Sequence, residues 1–160
     1  MKVILQDIKK LETEALIVGF YQDVRPLKGL AGELDWLLCG SLSELILNNK
    51  MDGSLGDVAL LTSRGKVPAT KIFMIGLGPK EDKSLSTLRA AAKIAASSAV
   101  GAGVTKAVIE YFDSPGVPYD KTIAALGDGL SEGAKGNPLT VSLLAPDAAT
   151  YEKISQLVKT

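Results

Sequence analysis

The stretch Lys71–Ala99, KIFMIGLGPKEDKSLSTLRAAAKIAASSA, reads as one strand–loop–helix unit of an α/β domain. The continuous apolar run from Ile72 to Ile75 suits a strand covered on both faces, because a strand with one wet face alternates apolar and polar residues. Gly76 and Gly78 let the backbone turn sharply where that strand ends. Ser84 then stands where a helix N-cap belongs, and Gly101 and Gly103 close the alanine-rich helix that follows. Ligand sites of open α/β sheets lie at such strand ends, which makes Gly76 and Gly78 candidate ligand-binding residues.

Downstream the same unit recurs. KAVIEYF precedes a helix over Asp120–Ala134, and LTVSLLA precedes a helix over Asp147–Val158 with Asp147 as its cap. Strands joined by helices of this length pair in parallel through right-handed crossovers, so the helices cover the sheet faces. Upstream, Val3 to Gln6 and Ala15 to Phe20 read as strands, the second (ALIVGF) apolar enough to be central. Leu30, Leu34, Leu37, Leu38, Leu42, Leu45 and Ile46 recur at helical steps, which predicts one helix interrupted by Gly40 at modest cost. Asp52-Gly53 marks a turn, and Gly56 to Thr62 and Lys71 to Gly76 form a hairpin or neighbouring strands around RGKVPA. The expected architecture is a three-layer α/β/α sandwich with a mixed, mostly parallel sheet of about six strands, residues 1–160 forming a single domain.

Composition removes several function classes. The 160 residues carry 18 basic and 18 acidic side chains and no run of like charge, so the electrostatic footprint of a nucleic-acid binder is missing. The longest apolar runs fall far short of the roughly 20 residues of a membrane-spanning helix, and Gln6-Asp7 ends the first apolar run too early for a signal peptide. No nucleic acid, no membrane and a cytoplasmic location are expected. Cys39, the one cysteine, allows no internal disulfide and is expected to pack beside leucines on a helix. There is no histidine, which excludes Ser-His-Asp and Cys-His catalysis and most zinc sites.

Gly129-Leu130-Ser131-Glu132-Gly133 has the form of a hydrolase nucleophile elbow, yet Ser131 falls late in a predicted helix and has no histidine to serve it. Gly76-x-Gly78 is half a dinucleotide fingerprint whose third glycine is replaced by Glu81, and no P-loop occurs. The carboxylates Glu33, Asp35, Glu44, Asp52, Asp57, Asp113 and Asp128 are scattered and read as solvated surface. Glu110 differs. Inside VIEYF it must be paired, at an edge, or functional. Two glycine-containing loops, Leu27–Leu34 (LKGLAGEL) and Asp113–Asp120 (DSPGVPYD), lead from strands into helices. Their backbone N–H groups suit a phosphate or carboxylate, or the glycines and prolines only make tight turns.

The two loops resemble the phosphate-clasping loops of macro domains, which bind ADP-ribose, with Gly29, Ala31 and Gly32 in the first position and Ser114, Gly116 and Pro118 in the second. The candidate ligand-binding residues are therefore Gly29, Gly32, Gly76, Gly78, Ser114 and Gly116. Where macro domains carry Asn-Ala-Asn after the early strand, this chain reads Gly19-Phe20-Tyr21-Gln22-Asp23. From Glu14 to Gly133 the chain also resembles the macro-like amino-terminal domain of cytosolic leucyl aminopeptidases: ALIVGF, a helix, DGSLGDVALLT, IFMIGLGPKED, then a helix of alanines. In that family catalysis belongs to a carboxy-terminal domain whose Lys, Asp and Glu residues hold two metal ions, and the amino-terminal domain supports a hexamer. The resemblance implies a non-catalytic assembly or regulatory domain. It implies no catalytic residue, no metal ligand and no cofactor in this chain, and a homo-oligomer or a separate catalytic chain as partner. A macro-like module binding ADP-ribose, a nucleotide or another phosphorylated small molecule is the alternative, and part of an aminopeptidase whose catalytic half is absent from this chain is the second alternative. The small surface of the alanine helix, Ala90, Ala91, Ser97 and Ser98, is a candidate contact for self-association unless a neighbouring helix covers it.

Overall fold

The computed structural model describes residues 1–82 and 84–158. Six strands, β1 (Lys2–Ile4), β2 (Ala15–Phe20), β3 (Val58–Thr62), β4 (Lys71–Gly76), β5 (Lys106–Glu110) and β6 (Thr140–Leu144), form one sheet in the order β1-β6-β5-β2-β4-β3. All neighbours are parallel except β3, which runs antiparallel to β4 at an edge. Helices α1 (Gly29–Leu37) and α2 (Ser41–Leu47) cover one face, and α3 (Leu85–Gly101), α4 (Tyr119–Ala134) and α5 (Ala148–Val158) cover the other. The expected α/β/α sandwich with a mixed, mostly parallel sheet is what the chain forms.

The core divides as strand geometry demands, since successive side chains point to opposite faces. Along β2, Ala15 and Ile17 face α3–α5 while Leu16, Val18 and Phe20 face α1–α2, and all are buried. This is why ALIVGF is apolar throughout: neither face of the central strand meets water.

Two expectations need correcting. The leucine-rich segment is two helices instead of one, because Cys39 and Gly40 both take left-handed backbone, φ 57° and 82°. Gly40 N–H reaches back to the Asp35 carbonyl at 2.8 Å, closing α1, and the Asp35 carboxylate accepts from the N–H groups of Leu42 and Ser43 and from the Ser43 hydroxyl, opening α2. Cys39 therefore sits exposed in a turn and not packed on a helix. Of the small residues of α3 that the sequence offers for self-association, Ala91 is buried, Ala90 and Ser98 are half-buried and Ser97 is exposed, and the alanines covered by α4 are others on the same helix. Ala91, Ala92, Ala95, Ala96 and Ala99 are fully buried, and α4 lies so close that a Cβ on Gly129 or Gly133 would lie 2.8 Å from that of Ala92 or Ala96. Ser131 is within α4, as its position in the sequence predicts.

Candidate ligand crevice

The chain leaves β2 toward α1 on one face and leaves β5 toward α4 on the other, so β2 and β5 form a switch point where an open α/β sheet leaves a crevice. The β2–β5 pairing stops at Ile17 opposite Ile109. Beyond it the strands part, and Glu110 Oε2 accepts the Gly19 N–H at 3.0 Å in place of a backbone carbonyl. Glu110, the charge that the sequence leaves open, is thus paired with backbone at the point where the crevice begins. On the other side of β2, Leu77 N–H donates to the Phe20 carbonyl at 2.9 Å and Gln22 N–H to the Gly78 carbonyl at 3.0 Å, so the β2–β4 ladder runs on.

The resulting cavity, about 370 Å³, is lined by Gly19–Tyr21, the Leu27–Gly29 turn, Leu77, Glu110–Asp113, the β6–α5 connection at Pro146 and Asp147, and Thr150 in the first turn of α5. Phe20, Leu77, Tyr111 and Phe112 are buried and make it apolar. Glu110, Asp113 and Asp147 line it together with Lys28. Burial, then Glu110, Asp113 and Asp23 in decreasing order, push the Tyr21 phenol up to about 12. Tyr111 is also raised to about 12, first by burial, with its hydrogen bond to Thr122 opposing and Asp113 and Tyr119 adding to the rise. Asp147 caps α5 by accepting the Thr150 N–H at 2.7 Å, and that bond holds its carboxyl below the usual range.

Of the residues singled out in the sequence, Gly29 lines the crevice. Gly32 packs against the Leu27 carbonyl and faces an adjoining groove beside Trp36. Gly76 and Gly78 lie against the loop from Gly53 to Asp57, where Gly76 N–H donates to the Asp57 carbonyl at 2.9 Å and Gly78 N–H to the Gly53 carbonyl at 2.8 Å. Leu77, between them, reaches the crevice. Ser114 is buried just beyond Asp113, its carbonyl accepting the Val117 N–H at 3.0 Å, and Gly116 stands in open space at the turn with φ 84°. Tyr21, Phe112 and the Asp147–Thr150 segment are liners that the sequence does not single out. Their signal is topological: β6 lies beside β5 in parallel, so its outgoing loop opens on the same side. Among the described residues, no three Cys, Asp or Glu side chains come together as metal ligands would, and no helix is long and apolar enough to cross a membrane.

This fold is that of macrodomains. The Oceanobacillus iheyensis macrodomain with ADP superposes with a TM-score of 0.77 at 13% identity, over 98% of this chain and 88% of that one. A tomato leucine aminopeptidase mutant superposes at 0.73 with 17% identity, covering 98% of this chain and 34% of that one. Within that fold the chain belongs to the cytosol aminopeptidase family, as its N-terminal domain, with residues 17–135 matching the family model. The probable cytosol aminopeptidase of Geobacter sulfurreducens is 34% identical over 120 residues, 74% of this chain and 24% of that protein. That of Alkaliphilus metalliredigens is 29% identical over 84% of this chain and 26% of that protein. The chain thus spans about a quarter of the length of these relatives.

Proposed function

We propose that this chain is a non-catalytic assembly or regulatory module of a cytoplasmic aminopeptidase, docking a catalytic chain of that family through the outer side of α1 and α2. The observation that carries this is Trp36, 83% exposed at the end of α1, together with Leu47, 80% exposed at the end of α2. Trp is the residue most enriched among interface anchors, and burying one removes about 150–250 Å² from water. At about 25 cal/mol per Å² that is roughly 4–6 kcal/mol before the entropic costs of association. Pro26, Leu27 and Leu37 line a groove beside the indole that an apolar partner side chain would fill. The family match supports the same reading, since in the relatives this fold is joined to a much longer remainder.

Light scattering during size-exclusion chromatography tests it, with the chain alone and mixed with a cytosol aminopeptidase of its host. A joint species lost in the Trp36→Ser/Leu47→Ser double variant is expected, and association untouched by both changes sinks the proposal. A dimer of the chain alone that the same variant dissolves would make a second copy the occupant. Turnover of leucyl substrates by the chain alone, with manganese or zinc added, would overturn the non-catalytic part.

The crevice favours a second reading, a small-molecule binding module. Its volume lies in the range of small-ligand sites, and a Trypanosoma brucei macrodomain solved in complex with ADP-ribose has this fold, with a TM-score of 0.75 and 15% identity. A phosphorylated ligand on this reading takes backbone N–H groups from the turns at Gly29 and Ser114–Gly116, since the N–H groups of Gly32, Gly76 and Gly78 already donate to carbonyls of the chain. Calorimetric titration with ADP-ribose and ADP tests that version, and an absence of heat with both rejects it.

A further inference from the structure

We propose that two copies of this chain join through the β3 edge, antiparallel about a two-fold axis at Leu60, so that their sheets run on as one. β3 is the last strand of the sheet and pairs with β4 on one side. The phase of that pairing follows from its ends, where Gly76 N–H donates to the Asp57 carbonyl and Ser63 N–H to the Thr70 carbonyl. Ala59 stands opposite Met74 and Leu61 opposite Ile72 in the same phase, so the backbone groups of Ala59 and Leu61 face β4. The N–H and C=O groups of Val58, Leu60 and Thr62 therefore point out of the sheet.

Edge strands are kept apart by charges, prolines or bulges. Val58–Thr62 reads VALLT, without charge or proline, its register with β4 is unbroken, and Leu60 is 51% exposed. The outward residues are spaced evenly about Leu60, which makes this edge complementary to itself. An antiparallel second copy centred there sets Leu60 against its own counterpart and Val58 against Thr62 on both sides of the axis, and every outward N–H and C=O finds a partner. Residues opposite each other in such a ladder share a face, so the two Leu60 side chains cover one another. Charge selects the same direction. Asp52 and Asp57 stand before β3 and Arg64 and Lys66 after it, so antiparallel copies bring acid to base at both ends of the contact, whereas a parallel pairing sets like charge on like. The contact uses the sheet edge and not the outer side of α1 and α2, and it does not depend on a catalytic chain docking there.

Light scattering across protein concentration, combined with amide hydrogen exchange of the whole chain, is the test. A dimer is expected whose formation slows exchange at Val58, Leu60 and Thr62, while Ala59 and Leu61, whose N–H groups face β4, stay protected in monomer and dimer alike. Leu60→Lys, which sets two cations against each other at the axis, is expected to weaken the dimer by at least about tenfold. Leu60→Pro removes an outward N–H that β4 does not use and is expected to do the same. The Trp36→Ser/Leu47→Ser double variant is expected to leave the dimer intact, which separates this contact from docking through α1 and α2. Should both Leu60 variants lose their fold by circular dichroism, the alternating exchange pattern of the parent chain decides. A chain that stays monomeric at millimolar concentration overturns the proposal, and so does a dimer that leaves exchange at Val58, Leu60 and Thr62 unchanged. A dimer undiminished in folded Leu60 variants, or lost in the Trp36→Ser/Leu47→Ser variant, overturns it as well.

Discussion

Tyr21 and Gly19 show how single residues set the character of the crevice. Gly19 stands in the middle of an apolar strand because a Cβ there would lie 2.7 Å from Leu77 Cδ1 and 2.8 Å from Phe112 Cε1, the side chains that close the floor. Two residues on, the Tyr21 phenol is held neutral by burial and by the carboxylates of Glu110, Asp113 and Asp23, with a pKa of about 12. An unfolded tyrosine ionises near pH 10, so above that value the unfolded state loses its proton first. The stabilisation is therefore fully present below about pH 10 and is lost as pH rises toward about 12. Denaturant melts across that alkaline range are expected to show a shallower loss of stability for Tyr21→Phe than for the parent chain. Equal slopes would mean that Tyr21 ionises as freely folded as unfolded.

At the scale of elements, the α3–α4 pair is the tightest contact and rests on absent side chains. Gly133 packs its Cα against the Lys93 carbonyl and Ala96, and Gly129 does the same one turn earlier against Arg89 and Ala92. An ion pair from Arg89 to Glu132 crosses the same seam. Gly133→Ala forces the helices apart and is expected to cost about 1–3 kcal/mol by chemical denaturation. Gly127 on the same helix meets nothing within 4 Å, so Gly127→Ala should instead stabilise by about 0.5–1 kcal/mol through helix propensity. The opposite signs separate packing from propensity, and two stabilising results would mean that the seam is looser than described. Gly129-x-Ser131-x-Gly133, which in sequence imitates a catalytic motif, owes its glycines to this contact.

For the whole molecule, β2 is the hinge between two apolar layers, and its neighbouring residues report on each. Leu16 packs under α1–α2 and Ile17 under α3–α5, both fully buried. Leu16→Ala and Ile17→Ala should each cost about 2–5 kcal/mol, and calorimetry should still show one transition, because a shared central strand couples the layers. Two resolved transitions in either variant would mean that the layers unfold separately. Most of this architecture is legible along the chain, because strand and helix periods, the caps at Ser84 and Asp147 and the doubly apolar strands report burial that each segment must find locally. The break at Cys39-Gly40 escapes the leucine spacing, since the apolar stripe continues unchanged across two helices whose backbone turns between them. The crevice is likewise a tertiary product: residues near positions 20, 77, 111 and 147 meet only because the sheet order sets β5 and β4 on either side of β2 and β6 beside β5. Local pattern determined which segments must be buried and in what form, because burial leaves its period in each one. The meeting of these four segments at one end of the sheet was decided by contacts between segments far apart in the chain, which no local period records.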